Sequence, residues 1–416
     1  MSMNLREYAA HVFAHAEKLQ SFLDSHGEKL GFEADARPSR HFPQELQESR
    51  VALMSACQTM YDLVEGAEST MLWSPLAAIH DVGAYKLLYH YRLWELVPEH
   101  GTISYEAMAN PLKLEVKRLT TYVRHLITRR IFLEPEPNRV GHSAASLFLA
   151  RNEGSQCWLG ACTDDMPEAI QALPETYDIH GLVLDTKLSP FNIARKDNSM
   201  GAMALVLSDK QRGPRYSKGL GWVATTESCS SEIILDSYPW EQFGLVVDVG
   251  GGDGNFSFSL ARRYPKMRCI IQDIAAQASY FKAPADIAHQ LEYQVHDIFT
   301  PQKVQADLYV FRIVLHVFSD DEQAAALLRN VLPAMKETSR IVLVDMVLDP
   351  NYPIAWAHKQ AVCNSQMTDL VGKDRTAEDW AEVVRLASPD LELGRIFSAA
   401  GRTWSTIEIV RKGTQL

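Results

Sequence analysis

The stretch GLVVDVGGGDGNFSFSLARRYP, residues 244–265, begins with an apolar run, continues into a glycine-rich turn and ends in a segment with helical periodicity. An apolar run next to a glycine cluster predicts a buried strand, and the segment after the turn predicts a helix. Three further apolar runs follow, at residues 267–274, 306–316 and 339–348. Such runs are typical of parallel strands covered by helices on both faces. The C-terminal part of the chain is therefore predicted to be an α/β domain that binds a ligand outside the carboxyl ends of its strands.

The glycines of the turn are Gly250, Gly252 and Gly254, and Asp248 precedes them. This G-x-G-x-G spacing differs from the G-x-G-x-x-G of dinucleotide-binding folds, because position 255 is asparagine. Glycine lacks a Cβ, so the backbone of the turn can approach a ligand closely. The spacing therefore favours a close-fitting ligand but forms no pyrophosphate cradle.

Acidic residues also stand at the end of the run 267–274, which is the second predicted strand, and after a third strand that we place before residue 297. Asp273 ends the second strand, where its carboxylate can accept hydrogen bonds from both hydroxyls of a ribose. Asp297 and Ile298 follow the third strand, where an acceptor and an apolar side chain suit an adenine ring. Each aspartate taken alone could cap a helix. Their position beside the glycine-rich turn favours a nucleoside site.

His316 lies in FRIVLHVFSDDEQ, residues 311–323, at the end of an apolar run and before a predicted helix. A histidine beside apolar side chains can be a core or capping residue. It can also be a general base, because an imidazole with a pKa of about 6.5 is mostly neutral near pH 7 and accepts a proton. The sequence around His316 leaves both roles open.

The pattern before this domain is of winged-helix type. Residues 115–131 carry a helical stripe of apolar side chains, and residues 132–143 form two short extended pieces around a Pro/Asn turn. The module could bind DNA through a basic recognition helix, or it could serve packing and dimerisation. We favour the second interpretation, because the whole chain is acidic. The stripe consists of Leu119, Tyr122, Val123, Leu126 and Ile127, and the basic residues off it are Lys117, Arg118, Arg124, Arg129 and Arg130.

Composition sets further bounds. The 416 residues are enough for two domains, and 41 lysines and arginines against 52 acidic residues give a formal charge of -11. This balance argues against nucleic acid or an anionic membrane as the main partner. The six cysteines are scattered, so we expect neither a metal site nor a disulfide framework. No apolar run approaches the roughly 20 residues that span a bilayer, and we expect a cytoplasmic protein.

The sequence divides into four predicted segments. Residues 1–60 form an N-terminal helical segment, 61–150 the winged-helix-like domain, 151–240 a helical connector and 241–416 the α/β domain. The connector is rich in methionine and aromatic residues, which are either core residues or the lining of an apolar substrate pocket.

Residues 60 to 412 resemble the S-adenosylmethionine (SAM)-dependent O-methyltransferases of the plant caffeate and fungal polyketide type. The resemblance is carried by the ordered motifs VVDVGGGDG, QDI, HDIF, FRIVLH, VDMVL and GKDRT. It implies a Rossmann-like class I methyltransferase domain preceded by an all-helical, winged-helix-like dimerisation domain that helps to form the substrate pocket. It also implies a homodimer that binds SAM and a small aromatic or polyketide-like substrate.

The resemblance assigns roles to individual residues. The glycines of the turn would approach the methionine part of SAM, and Asp273 would hold the ribose. Asp297 and Ile298 would flank the adenine, with Arg312 nearby. The complete set implied for the cofactor is Asp248, Gly250, Gly251, Gly252, Asp273, Asp297, Ile298 and Arg312.

His316 would be the general base that deprotonates a hydroxyl as it attacks the methyl group. Asp345 and Asp374 match the two acidic residues that accompany this base in the family. The chain departs from the family at one point, because His-Asp-Trp is replaced by His316, Val317 and Phe318. An O-methyltransferase is thus the main prediction, and a SAM-binding pericyclase of the same fold is the alternative. A winged-helix transcription factor with a ligand-sensing domain comes third.

Overall fold

The computed structural model describes residues 4–36, 42–180, 187–226, 229–279, 281–348, 363, 372–398 and 403–414. These residues form two compact units. The first unit comprises the described parts of Met1–Gln171 and Leu205–Ala224, and the second comprises those of Ala172–Ala204, Thr225–Pro353 and His358–Leu416. In the described part of the chain, we find no helix with both the length and the apolar character needed to span a membrane.

Helices dominate the first unit. The range of α2 contains a break at Gly66, where φ is 76° and ψ is 160°. The predicted boundary at residue 60 lies inside α2, shortly before this break. The α-helices of the described residues are α1 Leu5–His26, α2 Gln44–His90, α3 Tyr105–Leu112, α4 Val116–Thr128, α5 Ala144–Arg151, α6 Glu153–Gly160, α7 Met166–His180, α8 Pro190–Arg195, α9 Ala202–Ser208, α10 Arg212–Val223, α11 Ser231–Ser237, α12 Asn255–Arg263, α13 Ala275–Ala278, α14 Asp321–Val331 and α15 Ala377–Ala387.

Strands occur in both units, and the two extended pieces predicted at residues 132–143 are strands of the mainly helical first unit. Its three strands form an antiparallel sheet in the order β1-β3-β2, because the extended pieces after α4 pair with each other and with the strand before α3. The strands are β1 Thr102–Ser104, β2 Phe132–Glu136, β3 Arg139–His142, β4 Leu245–Val249, β5 Arg268–Asp273, β6 Leu291–Val295, β7 Leu308–Arg312, β8 Arg340–Asp345, β9 Val347–Leu348, β10 Arg375–Thr376, β11 Leu391–Phe397 and β12 Ser405–Arg411.

Helix α4 packs into the core of the first unit through Leu119, Val123 and Leu126, which are fully or almost fully buried. Ile127 is half-buried, and Tyr122 is exposed although the apolar stripe predicted it to be buried. Tyr122 lies at the edge of the stripe, where its long side chain reaches solvent. The helical periodicity thus predicted the buried face of α4 correctly, except that it also included Tyr122.

Arg124 of α4, and Arg129 directly after this helix, form ion pairs within the first unit. Arg124 donates to both carboxylate oxygens of Glu134, at 2.9 and 3.1 Å, and holds the pKa of Glu134 at about 2. The Nε of Arg129 donates to Asp81 at 2.6 Å. Both arginines are therefore engaged by carboxylates of their own unit, which supports the interpretation of α4 as a packing element.

The second unit is built on a seven-stranded sheet in the order β11-β12-β8-β7-β4-β5-β6. Strands β4 to β8 are parallel, and β12 is antiparallel to both of its neighbours. A small parallel pair, β9 and β10, lies outside this sheet. One apolar cluster joins the sheet to α14 and α15, and another joins it to α11 and α12. Helices thus cover both faces, as the near-continuous apolar strands predicted.

The strand order reverses between β4 and β7. After β4 the chain proceeds outward to β5 and β6, then returns to place β7 on the other side of β4. A crevice forms at the carboxyl ends of strands where such a reversal occurs, and ligands of α/β sheets bind there. The predicted connector, 151–240, contributes residues to both units and is not a separate body.

Candidate active site

The glycine-rich turn joins β4 to α12 at the point where the strand order reverses. Its first glycine, Gly250, has a φ of 74°, which side-chain-bearing residues rarely adopt. The backbone N–H groups of Gly250 and Gly251 donate to the carbonyl of Gln272, which draws the turn against β5. A Cβ on Gly251 would lie 2.7 Å from Cγ of Asp248, so only glycine fits there.

Asp273 lies at the carboxyl end of β5, facing the turn. One carboxylate oxygen accepts from the N–H of Gly252 at 2.8 Å, and the other accepts from the N–H of Ile274 at 2.7 Å. Each oxygen keeps a second lone pair, so the carboxylate can also accept hydrogen bonds from a diol. The backbone bonds fix its orientation before any ligand binds.

Apolar side chains flank this carboxylate and the neighbouring segment after β6. Asp297 is exposed and accepts from the N–H of Phe299 at 3.0 Å, while Ile298 is half-buried against the core. Ile274 is 53% exposed and Phe299 is 51% exposed. Large apolar residues at this level of exposure offer a surface for a flat ring. Sequence reasoning missed Ile274 and Phe299, although each stands within two residues of a predicted aspartate.

Asp248 and Arg312 are neighbours across β4 and β7. Asp248 is almost fully buried, and its Oδ2 accepts from the hydroxyl of Ser257 at 2.7 Å. Burial raises the pKa of Asp248 to about 6. Its Oδ1, and the Nε and Nη2 of Arg312, have no hydrogen-bond partner among the described residues. Burial also lowers the pKa of Arg312, although the negative charge of Asp248 acts in the opposite direction and raises it. Buried polar atoms without partners mark a place where a polar ligand would replace the lost hydration.

The raised pKa of Asp248 gives a testable pH dependence. Between its ordinary pKa of 3.8 and the folded value of about 6, the folded protein holds a proton that the unfolded chain has released. Stability is therefore lost as the pH rises through this window, by about 3 kcal/mol in total. Asp248→Asn removes the buried charge and should raise the free energy of unfolding at pH 8 by up to about 3 kcal/mol, with a smaller gain at pH 5.

Urea unfolding of the protein without cofactor at pH 5 and pH 8 measures this effect. Asp297→Asn is the matched control, because this aspartate is exposed and should leave both values unchanged. Equal stability of wild type and Asp248→Asn at both pH values would show that the charge of Asp248 is not destabilising.

His316 lies in a short 3₁₀ turn, Leu315–Val317, directly after β7. Its side chain is 11% exposed, and its Nδ1 is 2.9 Å from Oδ1 of Asp345 at the end of β8. Burial lowers the pKa of His316, but the charge and hydrogen bond of Asp345, with the charge of Asp374, raise it above its ordinary value. When Nδ1–H donates to Asp345, Nε2 carries the lone pair, and no described residue hydrogen-bonds to it.

Asp374 joins this pair from the segment before β10. One ligand atom from each of His316, Asp345 and Asp374 lies within 4.8 Å of the others. The N–H of Lys373 donates to the carbonyl of His316 at 2.8 Å. A Cβ on Gly372 would lie 2.0 Å from the same carbonyl oxygen, so this glycine lets the segment run directly against the histidine. The three predicted catalytic residues are thus brought together.

Two further residues at this cluster were not found from the sequence. The side chain of Arg375 is fully buried. Its guanidinium donates to the carbonyls of Leu315 and Phe318 and to the carboxylate of Asp321 at the start of α14. It thereby holds both ends of the turn that carries His316. The ring of Trp404 stacks on that of His316. Arg375 stands in the GKDRT motif and could have been noticed there, whereas nothing near Trp404 in the sequence links it to a histidine.

The reversed strand order, the glycine turn with an acidic residue at the end of β5, and a buried histidine–aspartate pair define the class of SAM-dependent methyltransferases. The family model of the O-methyltransferase domain matches residues 194–388. O-methyltransferase pgmB of Aspergillus terreus (strain NIH 2624 / FGSC A1156) is 30% identical over 338 residues, 77% of this chain and 94% of its own. The chain belongs to the SAM-dependent O-methyltransferase family.

Other relatives span nearly the whole chain. Chlorophenol O-methyltransferase of Trichoderma longibrachiatum is 27% identical over 419 residues, 96% of this chain and 88% of its own. The solved structure of LepI in complex with SAM shares the fold, with a TM-score of 0.75 and 22% identity over 97% of this chain and 100% of its own. This protein is therefore a SAM-dependent O-methyltransferase that acts on a small molecule. The unpartnered atoms of Asp248 and Arg312 fit the charged methionine end of SAM.

Proposed function

We propose that the enzyme methylates a hydroxyl group of an aromatic or polyketide-like small molecule of secondary metabolism, with His316 as general base. The observation that carries this proposal is the imidazole of His316, held at Nδ1 by Asp345 with Nε2 left for a substrate. The similarity to a chlorophenol O-methyltransferase supports a phenolic substrate. The cytoplasmic location of the enzyme stays a prediction from the sequence.

The cofactor roles of the site residues belong to the same proposal. Asp273 would bind the ribose hydroxyls of SAM with the lone pairs that its backbone bonds leave over. Ile298 and Asp297 would flank the adenine, together with the exposed Ile274 and Phe299. Gly250, Gly251 and Gly252 would lie against the methionine part, with Asp248 and Arg312 at its charged end.

The reaction needs a group that accepts the hydroxyl proton, and the cation formed on that group must be stabilised. SAM supplies a methyl group made electrophilic by its sulfonium sulfur. His316 Nε2 would take the hydroxyl proton as the substrate oxygen forms its bond to the methyl carbon and the carbon–sulfur bond breaks, which leaves S-adenosylhomocysteine. Asp345 would hold the imidazole in the correct tautomer and, with Asp374, stabilise the resulting imidazolium. Both carboxylates are buried, so water screens their charges little.

Methyl transfer can be tested directly. The purified enzyme, incubated with methyl-labelled SAM and a panel of chlorophenols and polyketide phenols, should form a product heavier by one methyl group and an equal amount of S-adenosylhomocysteine. A strain that lacks the gene should accumulate a compound one methyl lighter, which would identify the natural substrate. An isomerised or dehydrated product without label or S-adenosylhomocysteine would support the pericyclase alternative instead.

The homodimer is also a proposal, supported by an apolar face on α2. Exposed apolar patches of this kind mark contact surfaces, and a second copy of the chain would cover the apolar face of α2. Leu72, Leu76 and Ile79 follow helical spacing and lie on one side of the helix. The large apolar side chains of this helix that are 43–73% exposed are Tyr61, Leu63, Val64, Met71, Leu72, Trp73, Leu76, Ile79 and Val82.

Placing charges on this face should separate the two copies. The double variant Leu76→Glu/Ile79→Glu should sediment as a monomer at micromolar concentration, whereas the wild type should sediment as a dimer. The reason is that two carboxylates would lose their hydration in the interface. Ile170→Glu, at an exposed apolar residue outside α2, is the control and should remain dimeric. A monomeric wild type would refute the dimer.

A further inference from the structure

Trp404 lies beside the catalytic cluster because of strand pairing. It directly precedes β12, whose first residue, Ser405, pairs with Asp345 on the antiparallel neighbour β8. The same Asp345 holds His316 through its carboxylate. The ring of Trp404 is nearly parallel to the imidazole, with an interplanar angle of 12° and a centroid distance of 6.1 Å. The end of β8 thus contributes the carboxylate of Asp345 to the surroundings of His316, and the residue before β12 contributes the indole of Trp404.

The stack acts on the imidazole in two ways. An offset, nearly parallel arrangement at this distance is a favoured aromatic contact, so it restrains rotation of the imidazole plane. The electron-rich face of an indole also attracts a cation, and the attraction is larger for an imidazolium than for a neutral imidazole. The indole Nε1 of Trp404 is buried without a hydrogen-bond partner among the described residues. In the described part of the chain, this ring is held by packing against the apolar cluster that joins the sheet to α11 and α12.

The charged groups that face His316 are Asp345, Asp374 and Arg375. The two carboxylates favour the imidazolium, and the guanidinium of Arg375 opposes it. An indole favours the imidazolium without adding a charge that must itself be desolvated. This difference gives Trp404 a role that neither aspartate can take over.

We propose that Trp404 is a positioning residue for His316: its indole fixes the plane of the imidazole and stabilises the protonated ring after proton uptake. The catalytic consequence rests on the proposed role of His316 as general base. The effect on the imidazole itself does not depend on that role, since it follows from the stack alone. The two can therefore be tested separately.

An NMR titration of the ¹³C-labelled histidines measures the effect on the imidazole. The signal of His316 is assigned by its absence in His316→Ala. Trp404→Leu should lower the pKa of His316 by about 0.4 to 1 unit, the shift expected for loss of a cation–π contact. Trp404→Phe keeps an aromatic face and should retain most of the wild-type value. An unchanged pKa in a folded Trp404→Leu variant, or equal shifts in both variants, would overturn the proposal.

Steady-state kinetics test the catalytic consequence. Trp404→Leu should lower kcat by roughly 3- to 10-fold, move the acid limb of the pH profile to lower pH, and leave the affinity for SAM unchanged. Trp404→Phe should restore most of kcat. A merely structural role would not produce the pH shift. If His316→Ala keeps full activity, the general-base assignment fails, while the NMR titration still decides whether the indole acts on His316.

Discussion

Substitution of His316 by alanine is expected to lower kcat by about 100- to 10,000-fold, while the affinity for SAM stays nearly the same. The large effect is expected because Asp345 holds Nδ1, and Nε2 has no hydrogen-bond partner in the described part of the chain, so it can accept the proton of the substrate. Of the residues proposed for the cofactor, only Arg312 shares the end of β7 with His316, and the alanine variant leaves its side chain in place, so SAM binding should persist. Turnover with the phenol found in the substrate screen, and calorimetric titration with SAM, measure the two quantities.

His289→Ala is the matched control for this experiment, since it removes an exposed histidine of the same unit. Added imidazole should restore part of the activity of His316→Ala if the loss is that of a proton acceptor. Asp345→Asn should also lower kcat, because an amide no longer favours the required tautomer or the imidazolium. Methyl transfer by His316→Ala within tenfold of wild type would show that another group, or none, acts as base.

Replacing Asp273 by alanine should weaken SAM binding by well over tenfold. The variant would lose the two charge-assisted hydrogen bonds that we propose for the ribose, each contributing roughly 1.5 to 3 kcal/mol. It also leaves the N–H groups of Gly252 and Ile274 without their acceptor, which loosens the glycine-rich turn. Isothermal titration calorimetry with SAM gives the affinity directly.

Two variants separate the cofactor contact from damage to the turn. Asp253→Ala removes an exposed carboxylate of the same turn whose hydrogen bonds among the described residues go to Asn255, and it should change the affinity little. Asp273→Asn keeps one acceptor oxygen and should lie between alanine and wild type. Unchanged SAM affinity in a folded Asp273→Ala variant would refute the ribose assignment.

Local sequence patterns predicted much of the α/β domain. The apolar runs at 267–274, 306–316 and 339–348 became parallel strands because such strands are buried on both faces, which leaves a signal that does not depend on distant residues. The strand ends of a parallel sheet lie along one edge, so Asp273 and Asp297 could be placed near the glycine turn from their order alone. His316 and Asp345 follow or end neighbouring parallel strands, so their proximity could be predicted in the same way.

Contacts that depend on antiparallel pairing could not be predicted in this way. Trp404 reaches His316 because β12 runs back against β8, and the sequence does not show which strand will pair with which. In the first unit, β2 and β3 were predicted as extended pieces, but β1 was missed because it has only three residues and no strand pattern of its own. Asp248 was assigned to the cofactor by motif, but its burial and its bond from Ser257 required the folded structure.

The way Arg375 and Lys373 hold the turn around His316 bears on how new chemistry can arise in this enzyme by mutation. Their bonds go to the carbonyl oxygens of Leu315, His316 and Phe318, which every amino acid carries. Side chains at 317 and 318 can therefore be exchanged by successive mutations while the histidine keeps its place. Libraries randomised at the two codons that encode Val317 and Phe318 in this chain therefore offer a route to altered substrate range with the base still in position.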